Sequence, residues 1–101
     1  MGIKKQFSNM EDIKKLGKLL RIADIALQES LVISINSLNN TDKLIKRIQN
    51  INYKISKLRS DIDNDLIRIM EQELYRSTEN KELNKLIYPD IDNEKFIESL
   101  S

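Results

Sequence analysis

At 101 residues the chain has the length of one domain; 33% of its residues are charged, the formal net charge is +1, and it holds two glycines and one proline. It contains no cysteine and no histidine, which excludes disulfides, thiolate zinc sites, cysteine nucleophiles, the commonest metal ligand and the commonest general base. The near-neutral total gives no global pull toward nucleic acid or anionic lipid, and no uninterrupted apolar run reaches the roughly 20 residues of a membrane-spanning helix.

The opening MGIKKQFSNM has basic residues with no apolar stretch behind them, unlike a signal peptide. A cytoplasmic location is the expectation. The first helix is predicted over about 9–36. Ser8 and Glu11 have the spacing of a capping box, with Phe7 placed to pack over the first turn. Leu16, Leu20, Ala23 and Leu27 mark one apolar stripe, and Leu19, Ile22, Ala26 and Ile33 mark its neighbour. This arc is wider than a two-helix seam requires, so the helix should touch more than one element. The β-branched run at 31–35 has some strand character, but a lone strand between helices would leave its edges unpaired, and the helical reading is kept. Ser30 and Ser34 interrupt the apolar face, where each can bond to a preceding backbone carbonyl.

Asn36 to Asn40 form a polar turn, and Asn40 or Thr41 is the expected cap of a second helix over about 42–76. That helix would be roughly 50 Å long at 1.5 Å per residue. Its apolar seam is Leu44, Ile48, Ile51, Ile55, Leu58, Ile62, Leu66 and Ile69, at steps of three and four residues. The opposite stripe is polar throughout. An extra four-residue step from Ile62 to Leu66 interrupts the heptad, which favours a bundle over an extended coiled coil. The short turn makes the two helices antiparallel neighbours and sets Lys14, Lys15, Lys18 and Arg21 near the level of Asp61, Asp63 and Asp65. After Arg76 a short helix is expected to restart at Ser77 or Thr78 and stop at Tyr88-Pro89, with a last turn carrying Phe96, Ile97 and Leu100. The chain reads as one all-α domain: a long helical hairpin with a short helical segment over 78–100.

Candidate sites are few. Asp61-x-Asp63-x-Asp65 has the opening spacing of a calcium loop, but no glycine follows at the turn and the twelfth position is Gln72. A basic group, Lys43, Lys46, Arg47, Lys54, Lys57 and Arg59, spans a segment without any acidic residue. A solvated helix face is the plain reading of that group; an acidic protein or a nucleic-acid backbone are the functional ones. Tyr53 and Tyr75 read as packing-edge residues. No catalytic residue, cofactor site or metal site is expected.

From Asp12 to Met70 the layout resembles the PhoU-like family, helical-bundle proteins associated with phosphate-transport regulation. The shared pattern is Leu-Gly-Lys-Leu-Leu at 16–20, an Ala/Leu-rich face, a short polar turn, and the spacing of Ile55, Leu58 and Ile62 in the second helix. Where the family often has acidic metal ligands, this chain has Asn52 and Ser56. The resemblance therefore implies a truncated or diverged bundle without the family's metal cluster. The functional expectation is a non-enzymatic interaction or regulatory protein, assembling as a homo-oligomer with a dimer favoured, or engaging a protein partner. A small nucleic-acid-binding protein using the basic helix face is the alternative.

Overall fold

The computed structural model describes residues 5–90 and Lys95. Among these the fold is all-α, with α1 (Met10–Ser37), α2 (Lys43–Asn64), α3 (Leu66–Ile69), α4 (Gln72–Ser77) and α5 (Asn80–Leu86) in chain order. α1 and α2 form the expected antiparallel hairpin. The expected last turn with Phe96, Ile97 and Leu100 lies outside the described residues.

The helix ends differ from the sequence expectation in instructive ways. Asn9, not Ser8, caps α1, its side-chain oxygen accepting from the Glu11 amide at 2.8 Å. Asp42 rather than Asn40 or Thr41 caps α2, accepting from the Leu44 amide at 2.9 Å. A carboxylate at that position also suits the positive end of the helix dipole. The run at 31–35 is helical. Ser30 and Ser34 donate their hydroxyls to the Ala26 and Ser30 carbonyls, at 2.8 Å each, so neither leaves an unpaired oxygen in the helix.

The single helix expected over 42–76 is broken into three. Asp61, Asp63, Asn64 and Asp65 crowd one turn with side chains that compete for backbone partners, and with negative charge where the dipole disfavours it. Asp65 leaves helical geometry at φ −95° and ψ 4° and starts the single turn of α3. Met70 is then extended, and Phe7 runs beside it. The Phe7 amide donates to the Ile69 carbonyl at 2.7 Å, and the Glu71 amide donates to the Phe7 carbonyl at 2.9 Å. The short helix expected to start at Ser77 or Thr78 and stop at Tyr88-Pro89 is α5, which starts at Asn80 instead; Ser77 and Thr78 both donate hydroxyls to the Leu74 carbonyl and close α4.

The breaks fold the second half back on the base of the hairpin. There Ile13, Leu66, Met70, Leu83, Leu86 and Ile87 form the core, with Phe7, Met10, Ile62, Ile69, Leu74 and Tyr75 packed around it. α5 reaches this position across Gly17. A Cβ built there would lie 1.6 Å from the Leu86 carbonyl oxygen, so only a residue without one fits. The turn end of the hairpin projects away from the core. The Cα radius of gyration is 16.8 Å, against about 13 Å for a compact domain of this length.

Candidate functional site

Two heptad lines face each other inside the hairpin. Burial follows Ile13, Gly17, Leu20, Asp24, Leu27, Leu31 and Ser34 on α1. On α2 it follows Ile45, Ile48, Asn52, Ile55 and Arg59, continuing through Ile62 to Leu66 in α3. The inner line of α2 therefore differs from the sequence seam at three places. Ile48, Ile55, Ile62 and Leu66 face inward as expected, and Ile69 packs on the core. Leu44, Ile51 and Leu58 do not: they are 46%, 47% and 46% exposed, one heptad apart, on the outer flank of the helix. Their places in the line are taken by Ile45, Asn52 and Arg59.

Arg59 and Asp24, each only 4% exposed, explain the substitution. The Arg59 guanidinium pairs with the Asp24 carboxylate, donates to the Ile87 carbonyl at 3.1 Å, and lies 4.6 Å over the Tyr88 ring. Asp24 also accepts from the Gln28 amide at 3.0 Å and has the Arg21 guanidinium 3.6 Å away. A buried charge needs this density of partners. The node ties α1, α2 and the end of α5 at one point. Among the described residues, Arg59 Nε and Asn52 Oδ1 are buried side-chain atoms without a hydrogen-bond partner.

Of the six residues in the predicted basic patch, Arg59 is thus internal. Lys43, Lys46, Arg47, Lys54 and Lys57 are exposed on α2, with Lys57 within 3.3 Å of Asp61 one turn on. Asp65 likewise finds its partner on its own segment, pairing with Arg68 at 3.0 Å. The sequence expectation had instead set these acids against the cations of α1. Tyr53 is exposed, whereas Tyr75 packs beside the core.

The structure adds one feature that the sequence reading did not single out, an open cleft of about 610 Å³ between α1 and α5. Lys14, Lys18, Lys81 and Lys85 line it with Glu82 and Asp90, so four cations stand against two acids. Lys85 pairs with Asp90 at 3.0 Å. All four lysines are solvent-exposed on flexible stems, so the cleft has positive charge but no fixed donor to orient a ligand. No group of three or more acidic side chains is placed to hold a metal ion among the described residues. Asn52 and Ser56, which stand where the PhoU-like pattern has ligands, are one helical turn apart: Asn52 lies in the helix–helix line and Ser56 is exposed at its edge, and neither carries a carboxylate.

The most distinctive surface is apolar. Leu44, Ile51 and Leu58 form one exposed row on α2, and Leu19, Val32, Ile33 and Ile35 are exposed at several positions around α1, with Ile33 63% exposed. Such a density of half-exposed aliphatics on one hairpin goes beyond isolated surface leucines. No helix among the described residues is long and apolar enough to cross a membrane. No family model matches the chain, and comparison with curated proteins and with solved structures gives no match.

Proposed function

We propose that this protein is a non-enzymatic helical interaction module that works through protein–protein contacts made by the projecting half of its hairpin. The observation that carries the reading is the displaced row Leu44, Ile51 and Leu58. Three large aliphatics one heptad apart form the start of a second helix–helix seam, and nothing within the described residues covers them. The row sits on a hairpin anchored by the core at the base and by the Asp24–Arg59 node. A regulatory role of PhoU-like type rests on the sequence pattern alone. It would have to act through docking, since Asn52 and Ser56 offer no metal chemistry.

A pair of substitutions, Ile51→Lys with Leu58→Lys, tests whether the row is a contact surface or part of the core. On the contact reading the variant keeps its helix content and melts within a few degrees of the parent at low concentration. Loss of folding would place the row in the core and end the proposal. Static light scattering of the parent across a concentration series then reads assembly, with a dimer expected at micromolar concentration.

A second reading has its own observation: five exposed cations between Lys43 and Lys57, with no acid among them. They can contact a phosphate backbone, although no base-reading constellation accompanies them. Binding to duplex DNA that falls steeply with salt, and weakens when Lys46, Arg47, Lys54 and Lys57 are neutralised, would support it. Absent or salt-insensitive binding would reject it.

A further inference from the structure

Resting on the interaction reading above, we infer that the occupant of the exposed α2 face is the α2 helix of a second copy, running antiparallel to the first. The outer stripe of α2 reads Leu44, Arg47, Ile51, Lys54, Leu58 and Asp61, again at steps of three and four. Its charge is polarised. The turn-proximal half holds Lys43, Lys46 and Arg47, Lys54 lies at the middle, and beyond it Lys57 is followed by Asp61, Asp63 and Asp65.

A parallel pairing would set every one of these charges beside its own copy. An antiparallel pairing about a two-fold axis near Lys54 reverses that. It brings Ile51 opposite Leu58 of the second copy, Arg47 opposite Asp61, and Lys43 opposite Asp65, each pair occurring twice by symmetry. One register thus satisfies the apolar steps and the charges together. On the α1 flank that adjoins this stripe the seam-edge positions are Ala23 and Ser30, small enough for a second hairpin to approach. Two positions are left unmatched: Lys54, which meets itself on the axis, and Leu44, which falls opposite Asn64.

The absence of cysteine makes the test clean. Lys54→Cys should form a disulfide-linked dimer readily under mild oxidation. Leu44→Cys should not, because the two positions would lie about 30 Å apart along the paired helices. Efficient linking at Leu44→Cys would overturn the antiparallel register while leaving the interaction reading intact. Charge reversal supplies the second arm. Arg47→Asp and Asp61→Arg should each weaken the dimer about tenfold, because two rim pairs are lost at once, and the combined variant should restore it. Lys54→Gln should tighten it. Failure of the combined variant to recover, or a parent protein that stays monomeric to millimolar concentration while Ile51→Lys with Leu58→Lys still folds, would overturn the inference. In that monomeric case the face would belong to a different protein.

Discussion

Arg59 shows how one residue can change its meaning between sequence and structure. In the chain it closes a run of cations; in the fold it is the cation that cannot meet a partner molecule, because Asp24, the Ile87 carbonyl and the Tyr88 ring enclose it. Arg59→Met should cost about 3–5 kcal/mol in chemical denaturation, because Asp24 is left buried with its main partner gone. Asp24→Leu combined with Arg59→Met should recover most of that loss, since two apolar side chains of similar size carry no desolvation cost. A double variant as unstable as the sum of the singles would show that the pair is not coupled. Gly17 poses a simpler steric question. Alanine gains about 1 kcal/mol of helix propensity, yet its Cβ would collide with the Leu86 backbone. Backbone cannot swing aside as a side chain can. Gly17→Ala should therefore lower the melting temperature, measured by circular dichroism, whereas an unchanged or raised melting temperature would place α5 elsewhere.

At the scale of the helix, the hairpin was legible because its period and its turn are both strong local signals. What was not legible was which of two overlapping stripes on α2 faces α1. The line through Leu44, Ile51 and Leu58 is uniformly aliphatic, whereas the line through Ile45, Asn52 and Arg59 has polar residues at two of its steps. Hydrophobicity alone selects the first. The decision in favour of the second is made by a residue 35 positions away, since Arg59 turns inward only because Asp24 occupies the facing line of α1. The break after Asn64 was hidden for a related reason. Its cause is the clustering of Asp and Asn, which an apolar count does not register, and the apolar period runs on through it to Leu66. These two stripes give a direct contrast between neighbours. Ile45→Ala should cost about 2–4 kcal/mol as a buried truncation, while Leu44→Ala should stay within about 0.5–1 kcal/mol at concentrations where the protein is monomeric. Equal costs at both positions would mean that α2 is rotated from the orientation described.

Over the whole molecule, stability is distributed unevenly, and function follows that distribution. Among the described residues, Ile13, Leu66, Met70, Leu83, Leu86 and Ile87 all lie at the base, whereas beyond the Asp24–Arg59 node the buried residues reduce to Ile25, Ser34 and Ile45. Segments with few buried apolar contacts open at a lower free energy than the global unfolding. Amide hydrogen exchange of dilute protein should therefore show the slowest exchange in α1 near Ile13–Leu20 and in the Leu66–Met70 segment. Exchange should be faster toward the turn, from about residue 31 to residue 51. Raising the protein concentration supplies the discriminating step. If a second copy docks on α2, mass action stabilises the state that binds it, and protection should rise through residues 44–58 while the base, already limited by global unfolding, changes less. An arm with few buried apolar contacts would gain protection from a docked second copy, so that association would stabilise the surface that makes the contact. Protection that is uniform along the hairpin at all concentrations would refute this gradient, and with it the idea that the base is the scaffold and the arm is the part that meets a partner.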